Sequence, residues 1–167
     1  VEDRDPPFLL DIGRDGKSFT EVWSTNERRK KNRRLEPVLG IHWTTPILHD
    51  GHLYAFSGRN EPDAQFRCVE LKTGRVKWSR DERWRTYSSK QPNVYGRGSA
   101  VMADGKLFVL GEGGLLGLFE VNPTKPVELA RHQVPELHYP CWAAPILSDK
   151  RMVIRSEDYL ICFDVAK

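Results

Sequence analysis

An all-β chain of short antiparallel strands is what this sequence predicts, and three observations predict it. The apolar stretches are strand-sized, and none approaches the roughly 20 residues that a membrane-spanning helix needs. Asp50-Gly51 and Asp104-Gly105 each stand between two such stretches, and Asp-Gly is a strong hairpin signal because a two-residue turn calls for residues that accept positive φ. The pattern around these turns also recurs along the chain, and an internal period decides the architecture before any single element does. The size and balance of the chain agree: 167 residues, 39% hydrophobic and 29% charged, suit one folded domain and exclude a fully disordered polymer.

The recurring segment is Trp43-Thr44-Thr45-Pro46-Ile47-Leu48-His49-Asp50-Gly51-His52-Leu53-Tyr54. It returns as Gly98-Ser99-Ala100-Val101-Met102-Ala103-Asp104-Gly105-Lys106-Leu107-Phe108, and again from Trp142 through Pro145 and Asp149 to Val153. From Asp50 to Asp104 is 54 positions and from Asp104 to Asp149 is 45, so the excess is loop. The apolar residues on either side of each turn form the first two strands of a unit. A third strand follows at Phe66–Leu71, Leu116–Val121 and Tyr159–Val165. The turn Lys72-Thr73-Gly74-Arg75 leads into a fourth, Val76-Lys77-Trp78, whose counterpart is Val127–Arg131. Leu9–Gly13 and Phe19–Trp23 read as the third and fourth strands of a preceding unit, with Asp15-Gly16 between them.

Four antiparallel strands per unit of 45 to 54 residues is the arithmetic of a β-propeller blade. The expected organisation is a single partial propeller of about three blades: the end of one blade at 8–27, blades at 41–80 and 96–134, and a last blade at 140–167 without its fourth strand. Closure of a propeller protects sheet edges, so these blades are expected to join further blades of the same chain or to close by oligomerisation.

The run Leu71-Lys72-Thr73-Gly74-Arg75-Val76-Lys77-Trp78 resembles the repeat signature of pyrroloquinoline-quinone-type (quinoprotein-like) propellers, and Trp43/Pro46 with Asp50-Gly51 and Trp142/Pro145 with Asp149 are similar to the opening strand of those repeats. The resemblance covers roughly 8–167 and implies the C-terminal part of a bacterial member, in the periplasm or cell envelope. The family includes quinone-dependent dehydrogenases, an outer-membrane assembly lipoprotein and non-catalytic propellers. Within such a repeat Gly74 supplies a positive-φ turn, and Trp78 packs between blades. The next unit departs from the signature, with Val121–Pro126 in place of Thr-Gly and Leu129 near the Trp position.

A quinone-dependent dehydrogenase would need calcium held by carboxylate and amide oxygens, an aspartate base and adjacent cysteines. Asp63, Glu112 and Asp158 are expected to be solvated turn acids, and Cys68, Cys141 and Cys162 are widely spaced. Cys68 and Cys162 occupy the same third-strand position and are expected to be small core residues; Cys141 is expected to be buried. The histidines His42, His49, His52, His132 and His138 show no ligand spacing. Gly96-Arg97-Gly98 and Glu112-Gly113-Gly114 read as turns, since neither opens a helix. No catalytic residue, metal or cofactor is therefore expected, with pyrroloquinoline quinone and calcium as the alternative.

The net charge is only +3, so no global field steers the chain toward nucleic acid or anionic lipid. Charge is local instead. Arg28, Arg29, Lys30, Lys31, Arg33 and Arg34 form one connection between units, and Arg83, Trp84, Arg85 and Tyr87 lie in the next. Both connections run from a fourth strand to a first strand, so they share a face and are the candidate partner-binding residues. A non-catalytic scaffold that binds a protein or small ligand is the expected function.

Overall fold

The computed structural model of the chain describes residues 8–24, 38–58, 63–84 and 94–166. Their thirteen strands run in order as β1 (Phe8–Ile12), β2 (Phe19–Ser24), β3 (Ile47–His49), β4 (His52–Ser57), β5 (Gln65–Glu70), β6 (Arg75–Asp81), β7 (Ser99–Ala103), β8 (Lys106–Leu110), β9 (Leu115–Glu120), β10 (Glu128–Gln133), β11 (Ile146–Ser148), β12 (Arg151–Arg155) and β13 (Leu160–Asp164). There is no α-helix among the described residues. The strands form four separate antiparallel meanders: β1-β2, β3-β4-β5-β6, β7-β8-β9-β10 and β11-β12-β13. Every pair is of sequence neighbours, as short turns dictate.

Turn chemistry sets the registers. At all three repeat hairpins the two central residues have positive φ: Asp50 and Gly51 at 43° and 71°, Asp104 and Gly105 at 49° and 67°, Asp149 and Lys150 at 47° and 61°. These turns fix the pairs His49–His52, Ala103–Lys106 and Ser148–Arg151. A second device repeats at the outer hairpins. Leu9 pairs with Trp23 and Leu10 with Glu21, leaving Val22 extra; Cys68 pairs with Trp78 and Val69 with Val76, leaving Lys77 extra. In the third sheet Leu118 pairs with Ala130 and Phe119 with Glu128, leaving Leu129 extra. The position matching Trp78 is thus Ala130, and Leu129, the residue before it, is the bulged one, 45% exposed.

Each sheet has two apolar faces, because period-2 alternation places Tyr54, Phe56, Phe66 and Cys68 on one side of the second sheet and Leu53, Ala55 and Val69 on the other. The first set, here termed the front, joins one buried core with Leu107, Val109 and Phe119 on the back of the third sheet. The front of the third sheet, Phe108, Leu110 and Leu116, packs with Met152, Ile154 and Phe163 on the back of the fourth. Trp23 of the first sheet packs with Leu53, Ala55 and Val69 on the back of the second. The rule is front on back, three times over. Each fully buried Phe or Leu in these cores contributes about 1.5–3 kcal/mol.

Tryptophan links the sheets where it is present. The Trp23 indole N–H donates to the Leu71 carbonyl at 2.6 Å, and Trp78 donates to Asn122 at 2.8 Å. Gly74, at φ +65°, lies so close under Trp23 that a Cβ there would stand 2.9 Å from its ring. The Thr-Gly turn therefore requires glycine twice, for its backbone and for its neighbour's indole. With Ala130 in the third sheet, contact with the fourth falls to the aliphatic core around Leu110 and Leu137.

Cys68 is fully buried, but its repeat equivalent Cys162 is exposed. The expectation of two core cysteines is corrected in that half: Cys68 lies under the third sheet, whereas no described residue covers the front of the fourth. The first strands come together, with β7 beside both β3 and β11, and this places the site.

Candidate binding site

Trp43, Arg97 and Trp142 each stand seven residues before the turn aspartate of their unit. The side-by-side first strands bring these equivalent positions to one place. The Arg97 guanidinium lies 4.5 Å from the centre of the Trp43 ring, and the Trp43 and Trp142 rings are 5.7 Å apart. Ser99 Oγ adds a bond to the Ala143 carbonyl at 3.3 Å, tying β7 to the approach of β11.

Aromatic residues extend this contact into a continuous ridge. His42 lies 5.0 Å from Trp43, Tyr139 lies 5.9 Å from Trp142 at 87°, and Trp84 lies 5.7 Å from Tyr139. Edge-to-face and tilted geometries at these distances are the favourable ones for aromatic pairs. Tyr139 is 47% exposed and Trp142 46%. The Tyr139–Pro140 peptide bond is cis. The Trp43 Nε1 atom is buried without a hydrogen-bond partner, beside a water-sized hollow lined by His42, Phe56, Arg97 and Gly98.

A buried ion pair supports the ridge from below. Arg97 Nη2 and Nε bond Glu112 Oε2 at 2.9 and 3.2 Å, and Glu112 Oε1 also accepts the Arg97 backbone N–H at 2.9 Å. Glu112 is fully buried, which corrects its expectation as a solvated turn acid; Asp158 is exposed as expected. Burying a carboxylate is tolerated because the pair and the backbone donor replace water. The flanking glycines permit the approach: a Cβ at Gly96 would lie 2.5 Å from Glu112 Oε1, and one at Gly98 would lie 2.8 Å from Phe56. The two glycine-rich segments are one structure, joined by Arg97 and Glu112.

Glu82 is a second buried acid, at the end of the second sheet. It accepts the Tyr95 N–H at 2.9 Å and faces Arg80 Nε at 3.2 Å. Arg80 also pairs with Glu128, which accepts from the Tyr95 hydroxyl and pairs with Arg131. Burial pushes the Glu82 carboxyl up to about 7, against the opposing pull of the Tyr95 N–H and Arg80. Cys141, buried beneath the ridge with Sγ 3.1 Å from the His138 carbonyl, has its thiol pushed up to about 11 by desolvation and the nearby Glu112. Such a thiol is a poor nucleophile.

Of the candidate partner-binding residues, Arg28, Arg29, Lys30, Lys31, Arg33, Arg34, Arg85 and Tyr87 lie outside the described residues. Arg83 is exposed and paired with Asp81, and Trp84 belongs to the ridge. His49 contacts Asp50, and His52 Nδ1 lies 2.8 Å from the Asp50 carbonyl. No group of three possible metal ligands occurs among the described residues. Sequence reading missed His42, Arg97 and Tyr139 as members of one site. The available signal was the shared spacing of Arg97 and the two tryptophans from the turn aspartates.

No family model matches the sequence, and no curated protein matches it. Among solved structures, the chain is similar to the computationally designed Ika4 protein, with a TM-score of 0.41 and 8% identity over 79% of this chain and 99% of that one. It is also similar to BamB from Moraxella catarrhalis, with a TM-score of 0.33 and 13% identity over 71% of this chain. The chain spans 41% of the length of that BamB.

Proposed function

We propose that the chain forms blades of a quinoprotein-like β-propeller and works as a non-catalytic scaffold, binding a partner at the Trp43/Trp142/Tyr139 ridge. The observation that carries this reading is convergence: three consecutive units present the same repeat position to one ridge, and two of its aromatic rings remain about half exposed. Rigid tyrosine and tryptophan rings supply contact area at low entropic cost, which is why they dominate binding hot spots. Front-on-back packing with β7 between β3 and β11 supports the propeller reading.

Two observations among the described residues support the non-catalytic reading over a bound quinone with calcium. Both Glu112 oxygens are engaged by Arg97, and Cys68 and Cys141 are buried in different cores.

The test compares the chain with a Tyr139→Ala/Trp142→Ala variant, each immobilised and exposed to extract of the source cells. The proposal expects a partner held by the wild type and by Leu129→Ala, and lost by the ridge variant with its thermal melt intact. Equal retention by all three, or calcium-dependent binding of pyrroloquinoline quinone with dehydrogenase activity, would overturn it.

A further inference from the structure

Tyr95 is held at both ends by carboxylates from different sheets. Its backbone N–H donates to Glu82 Oε2 at 2.9 Å, and its hydroxyl donates to Glu128 Oε1 at 2.7 Å. Arg80 lies between the two acids, with Nε 3.2 Å from Glu82 and Nη2 2.8 Å from Glu128, and its guanidinium stands 5.5 Å from the centre of the Tyr95 ring. Glu82 is fully buried, yet its Oε1 has no hydrogen bond, and neither has the buried Arg80 Nη1. Among the described residues, the charged and titratable groups facing Glu82 are Arg80 of β6, Tyr95 before β7, and Glu128 and Arg131 of β10. Asp81 and Arg83, on either side of Glu82, are exposed and pair with each other.

This frame joins two segments of the ridge. Glu82 stands two residues before Trp84, and Tyr95 two residues before Arg97, so one carboxylate ties the chain leaving β6 to the chain entering β7. We propose that Glu82 is a proton-operated pin beneath the ridge: ionised, it holds the Tyr95 N–H and shares Arg80 with Glu128, and on taking up a proton it yields Arg80 to Glu128 and lets Trp84 move against Tyr139. Arg80 is the two-state element, poised between acids in unlike surroundings. Against desolvation, bonds from Arg131 and Tyr95 hold the Glu128 carboxyl below its ordinary value, whereas burial pushes Glu82 up to about 7, so the proton goes to Glu82. Partner binding at the ridge then becomes pH-dependent, which rests on the binding proposal; the movement of Trp84 does not, so the two can fail separately.

The experiment is fluorine NMR of the chain carrying fluorotryptophan, titrated across the neutral range without any partner, with Trp84→Phe assigning the Trp84 line and thermal melts verifying folding. In the wild type that line is expected to shift with a midpoint near pH 7. In Glu82→Gln, where glutamine still accepts the Tyr95 N–H, it is expected to stay fixed. Glu128→Gln provides a second variant: it removes a like charge and leaves Arg80 to Glu82, so the midpoint moves to lower pH. Histidines also titrate in this range, and His42→Gln/His138→Gln is expected to keep the Trp84 titration. A Trp84 line that stays fixed in the wild type would overturn the inference. So would a titration that persists in Glu82→Gln, an unmoved midpoint in Glu128→Gln, or a titration lost with the two histidines.

Discussion

Replacing Arg97 by alanine probes the support beneath the ridge, and the geometry sets its magnitude. Glu112 is fully buried and receives Arg97 Nη2 at 2.9 Å and Nε at 3.2 Å. In Arg97→Ala the carboxylate keeps the backbone N–H of residue 97 but loses its paired cation, a change that costs about 3–5 kcal/mol. Loss of the cation over Trp43 adds about 1 kcal/mol. Against a typical total stability of about 5–15 kcal/mol, this removes roughly a third or more. Equilibrium urea unfolding followed by tryptophan fluorescence measures it as a shift in midpoint at constant slope. A second variant separates lost pairing from lost volume. Arg97→Met with Glu112→Gln removes both charges, and glutamine still accepts the N–H, so the double variant recovers at least half of the loss. A loss below about 1 kcal/mol in Arg97→Ala would refute the reasoning, because it would mean that Glu112 reaches water.

Four further outcomes follow from particular residues. Lys150 occupies the hairpin position that Gly51 and Gly105 fill in the other units, at φ 61°; Lys150→Gly is expected to stabilise the chain by about 0.5–1 kcal/mol, and a destabilised urea midpoint would contradict this. Gly74→Ala sets a Cβ against the Trp23 ring at positive φ and is expected to cost at least about 1 kcal/mol, with a shift in Trp23 emission. Burial holds the Glu82 carboxyl at about 7, above its ordinary 4.5, so folding takes up a proton between these values. Its contribution therefore grows as pH falls from 7.5 to 5, by about 2 kcal/mol, and Glu82→Gln removes that dependence; an unchanged pH profile in the variant would contradict the assignment. Cys162 is exposed while Cys68 and Cys141 are buried with raised thiols, so one thiol reacts with a disulfide reagent in the native chain and all three react in urea.

The strands were legible because turn chemistry and alternation are local. Asp-Gly at two hairpins marked β3-β4 and β7-β8, and the repeat extended the reading to Asp149-Lys150, where lysine replaces the glycine. The bulge that exchanges Leu129 for Ala130 was not legible, since a one-residue slip alters register without altering composition. Cys162 shows the limit of repeat equivalence: the same strand position is buried or exposed according to what lies over the sheet. Glu112 was misread for a related reason. A glutamate beside two glycines has the composition of a solvated turn, and the distant Arg97 backbone and guanidinium that help make its burial tolerable lie outside that local window. The ridge draws on four separate segments, so no local window contains it, yet the spacing of Trp43, Arg97 and Trp142 from their turn aspartates encodes its centre.

The most direct test of the account is photo-crosslinking in the source cells, with a benzophenone amino acid placed at Tyr139, at Trp142 or at Leu129 of the β10 bulge. The account predicts one discrete adduct from positions 139 and 142 and none from 129. Adducts of equal yield from all three positions, or from 129 alone, would contradict a ridge built by convergence of the repeat units.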